Sequence, residues 1–180
     1  MRNVSLWSAL LGVEKTVIED VEFDEDEQAL IVRVRPRKSA RGRCGACGRR
    51  CPAYDRGEGQ RRWRGLDLGT IRVYLVADAS RVSCAVHGVT VRQVPWARHG
   101  AGHTYAFDDQ VAWLATRSSK STVTQLMRIA WRTVGAVIAR VWADAEALHD
   151  RFDGLRRIGI DEISYKRGHK YLMVVVDHDT

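Results

Sequence analysis

Two short motifs constrain this chain most: Cys44-Gly-Ala-Cys47 and Cys84-Ala-Val-His87, each with two residues between its potential ligands. A thiolate pair at that spacing grips one side of a tetrahedral ion. A second pair, 36 residues beyond the first, closes the tetrahedron. The pattern predicts a structural zinc site made by Cys44, Cys47, Cys84 and His87. Protein fills all four positions and leaves none for substrate, so the metal is expected to hold a fold and do no chemistry. Between the knuckles Ile71, Val73, Leu75 and Ala77 alternate with Arg72, Tyr74 and Asp78, the period-two pattern of a strand leading back to the second knuckle.

Other readings of the cysteines are weaker. Four of them in 180 residues are too few for a disulfide scaffold, and Met1-Arg2-Asn3-Val4-Ser5 does not begin a secretory leader. A redox Cys-x-x-Cys belongs beside a βαβ pattern, whereas here Arg41, Gly42 and Arg43 precede the motif and Gly48, Arg49 and Arg50 follow it. Cys51 reads as a spare buried thiol or a substitute ligand.

The formal charge of +7 is unevenly spread. Residues 1–30 hold two basic and eight acidic side chains, whereas residues 31–100 hold sixteen basic and four acidic. A zinc module so basic implies a polyanion, most simply nucleic acid, and the alternative is a solvated surface in an arginine-biased chain. No apolar run approaches the ~20 residues of a membrane span, so a soluble, cytoplasmic protein without a membrane partner is expected.

Leu6 to Val13 reads as a short helix, and Leu30, Val32 and Val34 alternate with Ile31, Arg33 and Arg35 as in a strand. Asp24-Glu25-Asp26-Glu27 reads as the turn of a hairpin ahead of that strand, while Pro36, Pro95, Gly100 and Gly102 mark joints. After His103 the period changes to about 3.6. Phe107, Val111, Leu114 and Ala115 form one stripe, Val123, Leu126 and Met127 a second, and Val134, Val137, Ile138, Val141 and Trp142 a third. Thr104 or Asp108 is expected to cap the first helix and Ser121 or Thr122 the second, with Arg132-Thr133 opening the third. A short helix, a tight turn and a longer helix make a helix-turn-helix, whose last helix enters the major groove; a small helical bundle is the alternative. On the first reading, Trp131, Arg132, Thr133 and Ala136 face the bases. Lys120, Ser121 and Thr122 reach phosphates, and Arg61, Arg62 and Arg64 add non-specific attraction.

The last thirty residues change character. Leu155 to Glu162 reads as a strand carrying Asp161, and Lys170 to Asp177 as a buried strand, with Lys166-Arg167-Gly168-His169 the hairpin between them. Asp161 in an apolar strand invites a metal-ligand reading, with a turn or capping role as the alternative.

A basic Cys-x-x-Cys/Cys-x-x-His module, a helix-turn-helix, and then Ile158-Gly-Ile-Asp161-Glu-Ile-Ser-Tyr165-Lys-Arg-Gly-His169-Lys-Tyr-Leu172 with Val174-Val-Val-Asp177 resembles the ISL-three family of bacterial insertion-sequence transposases. The family usually has cysteine where this chain has His87. The resemblance implies an α+β multidomain chain: an N-terminal helix and hairpin (1–36), a small zinc-binding β module (37–98), a three-helix helix-turn-helix domain (99–150) and the first hairpin of a truncated ribonuclease-H-like core (151–180). It implies double-stranded DNA, the element's terminal inverted repeats, as partner, and a homo-oligomer is possible. It further implies that Asp161 is the first of three catalytic carboxylates that hold Mg²⁺ or Mn²⁺ in an intact member.

If Arg167-Gly168 makes a two-residue turn, Asp161 faces Val174, and Asp177 lies ~10 Å away on the other face. The expectation is therefore a chain that binds DNA without cutting it, since the positions of the other two carboxylates lie past Thr180. The alternative function is a zinc-dependent helix-turn-helix transcriptional regulator.

Overall fold

The computed structural model describes residues 4–148 and 153–178; the boundary expected between residues 150 and 151 lies outside the described residues. The chain forms two compact units, Met1–Val141 and Trp142–Thr180. Its architecture is mixed α+β.

The first unit begins with helix α1 (Val4–Leu10) and the hairpin β1 (Thr16–Asp24) and β2 (Ala29–Pro36). The acidic turn forms as expected, with the Glu27 N–H donating to Asp24 Oδ1 at 2.9 Å. Strands β3 (Ala53–Asp55), β4 (Gln60–Arg64), β5 (Arg72–Asp78), β6 (Arg81–Cys84) and β7 (Gly88–Val91) follow. They assemble into a four-stranded sheet in the order β1-β2-β5-β4 and a three-stranded sheet in the order β3-β6-β7.

Strand β2 pairs with β5 in parallel, so the larger sheet runs across the joint expected at Pro36. A strand this apolar needs partners on both edges, and β5 supplies the second. Val32 and Val34 bury on one face as the alternation predicts, with Val73, Leu75 and Ala77 beside them, and Trp63 and Trp96 meet edge-to-face at 5.5 Å in the same core. The opposite face carries a smaller cluster of Ala29, Ile31 and Val76.

Three helices complete the unit: α2 (Tyr105–Ala115), α3 (Lys120–Met127) and α4 (Trp131–Leu148), the last continuing past Val141. Thr104 caps α2, its hydroxyl accepting from the Phe107 N–H. For α3 the cap is Ser119, accepting from the Thr122 N–H, and not the expected Ser121 or Thr122, which lie in its first turn. Arg128 adopts the left-handed conformation (φ 53°) that ends α3 and starts the tight turn into α4. Phe107, Val111, Val123, Met127, Val134 and Val137 interlock as the helical core. Leu126 falls outside that core at 60% exposure, because Val123 and Met127, one turn apart, define the inward face of so short a helix.

The second unit contains β8 (Ile158–Lys166) and β9 (Lys170–Asp177), an antiparallel hairpin. Asp161 stands opposite Val174, the expected register, with an irregularity between Ser164 and Lys166. The apolar run of β9 predicts a buried strand. Instead Tyr171, Leu172, Met173, Val175 and Val176 are exposed, since a two-stranded sheet has no second layer of its own to cover them. No helix among the described residues is long and apolar enough to cross a membrane.

Candidate metal centre and nucleic-acid interface

The first knuckle is a tight turn: the Gly48 N–H donates to the Cys44 carbonyl and the Cys44 N–H to the Arg49 carbonyl, both at 2.9 Å. Gly48 has φ +69°, a conformation that glycine takes without strain. At Gly45 a Cβ would lie 2.1 Å from His99 Nδ1 and 2.5 Å from the Val91 carbonyl oxygen, so only glycine lets the knuckle approach β7. Cys84 ends β6, and the turn into β7, which pairs Cys84 with Gly88, carries His87.

Folding thus brings Cys44, Cys47, Cys84 and His87 together, with their ligand atoms all within 4.8 Å of one another. Cys47 Sγ and Cys84 Sγ are 3.8 Å apart, and His87 Nδ1 lies 3.6 Å from Cys84 Sγ and 3.8 Å from Cys44 Sγ. A tetrahedral zinc ion with ordinary bond lengths has sulfur–sulfur edges of ~3.8 Å and sulfur–nitrogen edges of ~3.6 Å. The donor set and its spacing fit zinc, bound through His87 Nδ1. Backbone N–H groups of His87 and Val86 aimed at Cys84, with the His87 ring, bring its thiol down to about 5, which favours the thiolate that binds metal. Cys51 is not among the four. Its Sγ donates to the Arg49 carbonyl at 3.4 Å, and burial followed by the nearby Cys84 thiol pushes its pKa up.

The starts of α3 and α4 converge. Lys120 Nζ lies 4.5 Å from the centre of the Trp131 ring, and a Cβ on Gly135 would come within 3.3 Å of that nitrogen. Trp131 is 57% exposed. Arg132, Ala136, Ser121 and Thr122 are exposed, and Thr133 and Lys120 half-buried. This end of the helical unit presents two helix N-termini, cations and hydroxyls together, an arrangement able to take phosphates and reach into a groove.

The three β4 arginines, expected to add non-specific attraction to DNA, each make contacts within the fold. Arg64 is buried at 7% exposure and pairs with Asp67 at 2.5 Å. Its guanidinium also lies 5.5 Å from the Phe107 ring, because its position in β4 points it beneath the helices. Arg62 makes a two-pronged pair with Glu27 at 2.9 Å and covers Tyr74, while Arg61 donates to the Ala101 carbonyl at 2.8 Å. These side chains join elements of the fold. Asp67 also receives Arg128, so the turn between α3 and α4 is tied to the loop after β4.

Asp108, expected as a possible cap, is wholly buried. Arg140 of α4 donates to both its oxygens at 3.2 Å, while Arg98 Nη1 and His103 Nδ1 each lie 3.6 Å away. His103 stacks on Phe107 at 4.9 Å, and burial pushes its pKa down. The available clue was the position of Asp108 on the 104-107-108-111 stripe, which places it inward on α2.

Asp161 is exposed, and its carboxylate accepts the Glu162 N–H at 2.8 Å. Asp177 stands opposite Ile158, three positions along from Val174 and so on the other face of the hairpin.

Two family models match the chain. The zinc-finger of transposases IS204/IS1001/IS1096/IS1165 covers residues 40–87, and the helix-turn-helix domain of transposase family ISL3 covers residues 92–142. The chain is also 65% identical over 185 aligned positions to the transposase for insertion sequence element IS1557 from Mycobacterium tuberculosis, in strains CDC 1551 / Oshkosh and ATCC 25618 / H37Rv. That alignment takes in all of this chain and 42% of each relative, so the chain spans less than half the length of the curated relatives it matches. No solved structure matches it.

Proposed function

Because the chain belongs to the ISL3 family of insertion-sequence transposases, we propose that its first 148 residues are the DNA-binding portion of such an enzyme and recognise the terminal inverted repeats of an element. The observation that carries this reading is the convergence of the α3 and α4 N-termini around Lys120 and Trp131. Helix α4 enters the major groove with Trp131, Arg132, Thr133 and Ala136 toward the bases, while Lys120, Ser121 and Thr122 hold the phosphates on either side. Zinc on Cys44, Cys47, Cys84 and His87 keeps the β module folded beneath. The family match does not favour the transcriptional-regulator alternative.

Residues 158–177 open a ribonuclease-H-like core in this reading, with Asp161 as the first carboxylate for Mg²⁺ or Mn²⁺. When bound, such ions supply Lewis-acid stabilisation and an activated water for phosphodiester cleavage. Asp161 offers an exposed carboxylate oriented by the Glu162 N–H, and further carboxylates would come from the longer protein that the relatives represent. Strand transfer is assigned in this reading to that longer protein.

The test is duplex binding followed by fluorescence anisotropy, with an end repeat against a random duplex of equal length. The wild-type chain is expected to prefer the end repeat. Arg132→Ala is expected to lower that preference by about tenfold, the worth of one good pairing to a base edge. Equal affinity of the wild type for both duplexes refutes the reading.

A further inference from the structure

A cavity of about 440 Å³ lies where β2 and β5 meet the segments carrying Arg41, Arg56 and Arg92, with Arg33 and Arg35 on its wall. Five guanidinium groups surround it. Two carboxylates, Glu19 and Asp78, also reach it, and Glu19 is taken by Arg35 at 2.6 Å. Arg33 pairs at 3.4 Å with Glu22, and Arg41 donates through Nε to the Pro36 carbonyl at 3.0 Å. Asp78 is the remaining acid in the lining beside Arg41, Arg56 and Arg92, so the cavity keeps an excess of positive charge.

Arg92 shows the cost most clearly. Its Nε is buried without a hydrogen-bond partner, and a buried donor left unmade is destabilising. A bound anion would offset the positive charge that these arginines concentrate there. Planar guanidinium forks match the oxygens of phosphate, and several around one concavity make a phosphate site more selective than a scattered basic surface.

We propose that this arginine-lined cavity is a phosphate site that takes a backbone phosphodiester of duplex DNA, away from the base-reading start of α4. The inference rests on the DNA-binding reading and adds a second anchoring point to it. Holding a backbone phosphate positions the protein on the duplex and carries no sequence information. The same phosphate chemistry could come from a free ligand, so the test uses both sources.

The experiment compares the zinc-loaded full chain with Arg41→Ala/Arg56→Ala, two exposed positions whose replacement is checked by unchanged zinc content and melting temperature. The logarithm of duplex affinity is measured against the logarithm of salt concentration. Each phosphate that the protein no longer neutralises should lower the slope by about 0.9. The variant is therefore expected to lose about one unit of slope, to weaken on end-repeat and random duplex by the same factor, and to recover the slope in Arg41→Lys/Arg56→Lys. Inorganic pyrophosphate is expected to displace duplex from the wild type more readily than from the alanine variant. An unchanged slope together with unchanged pyrophosphate displacement in the variant overturns the site while leaving the DNA-binding reading intact. Pyrophosphate binding that depends on Arg41 and Arg56 with no change in slope overturns the duplex as the source. A wild-type chain that binds no duplex overturns the reading and the proposal together.

Discussion

The zinc-and-helix unit and the C-terminal hairpin handle the same kinds of residue in opposite ways. In the first, Trp63, Leu75, Phe107 and Val137 are buried, and the buried charges Arg64 and Asp108 meet partners, Asp67 and Arg140. In the second, Ile160, Leu172, Met173 and Val176 are exposed, and so is Asp161. A region with sheets, helices and a metal staple supplies its own layers, whereas two strands have only each other, and a lone hairpin is marginal in water. Stability and DNA reading should therefore respond strongly to substitutions in the first region and weakly to those in the second.

Zinc is the largest lever on that contrast. Structural zinc contributes apparent free energies of about 10–16 kcal/mol in small finger modules, because the unfolded chain has no preformed site. One equivalent should copurify, and Cys44→Ser or Cys84→Ser should release it and expose amides around residues 40–95 to rapid hydrogen exchange. The hairpin, with its apolar residues already exposed, should exchange fast with or without the metal. Metal-free protein with native protection across β4 to β7 would break the comparison at its first step.

Next comes Asp108. Removing one partner of a buried charge pair costs about 3–5 kcal/mol, and here the substitution leaves Arg140 without the acceptor of two hydrogen bonds and takes the facing carboxylate from Arg98 and His103. Asp108→Ala should lower the unfolding free energy by that much without releasing zinc, as read from the denaturant midpoint. A change under about 1 kcal/mol would mean the network is not what joins α2 to α4.

These two levers differ in how far the amino-acid sequence disclosed them. The four zinc ligands lie in two local motifs, and the helices in stripes of local period, so both were legible from the residues alone. The pairing of Asp161 with Val174 was also expected, but the two-residue turn behind it was not what forms: Lys166 pairs with Lys170 across three turn residues, and the irregularity between Ser164 and Lys166 restores the register. Pairings between distant segments were not legible. The parallel pairing of Ile31 with Tyr74 depends on how the whole zinc loop folds back, and nothing in either strand names its partner. Arg64 sits among arginines that read as surface charge, and only its burial beneath Phe107 separates it from them. The exposed β9 shows the reverse case: an apolar run predicts that a strand wants cover without saying what provides it.

A smaller effect follows from His103. Burial lowers its folded-state pKa below the unfolded value, so the folded protein binds this proton less readily than the unfolded chain does. Its contribution is present above the unfolded pKa and is lost as pH falls through the window between the two values. Stability should accordingly decline on acidification through the ordinary histidine range, and His103→Gln should flatten that decline. The zinc ligands also take up protons in acid, so the comparison is made between the two proteins at equal zinc occupancy. Identical slopes would remove His103 as a contributor.

The smallest expected effect belongs to Asp161, and its smallness makes it informative. The side chain is exposed, accepts one backbone N–H at 2.8 Å and stands opposite Val174, with Asp177 on the other face. Packing in the hairpin does not depend on its charge. Asp161→Ala should move stability by no more than about 0.5 kcal/mol, the range of surface substitutions away from special features. End-repeat affinity should stay within twofold. Two-metal phosphoryl transfer, by contrast, needs several carboxylates converging on ions ~3.5–4 Å apart, and the hairpin brings one to the Asp161 face. In a protein of the length of the relatives, the same substitution should abolish metal-dependent cleavage of end-repeat DNA without loss of binding. Full cleavage by that longer Asp161→Ala protein would show that another carboxylate opens the site. Destabilisation of several kcal/mol in the 180-residue chain would show that Asp161 is structural, and would erase the distinction between the two regions.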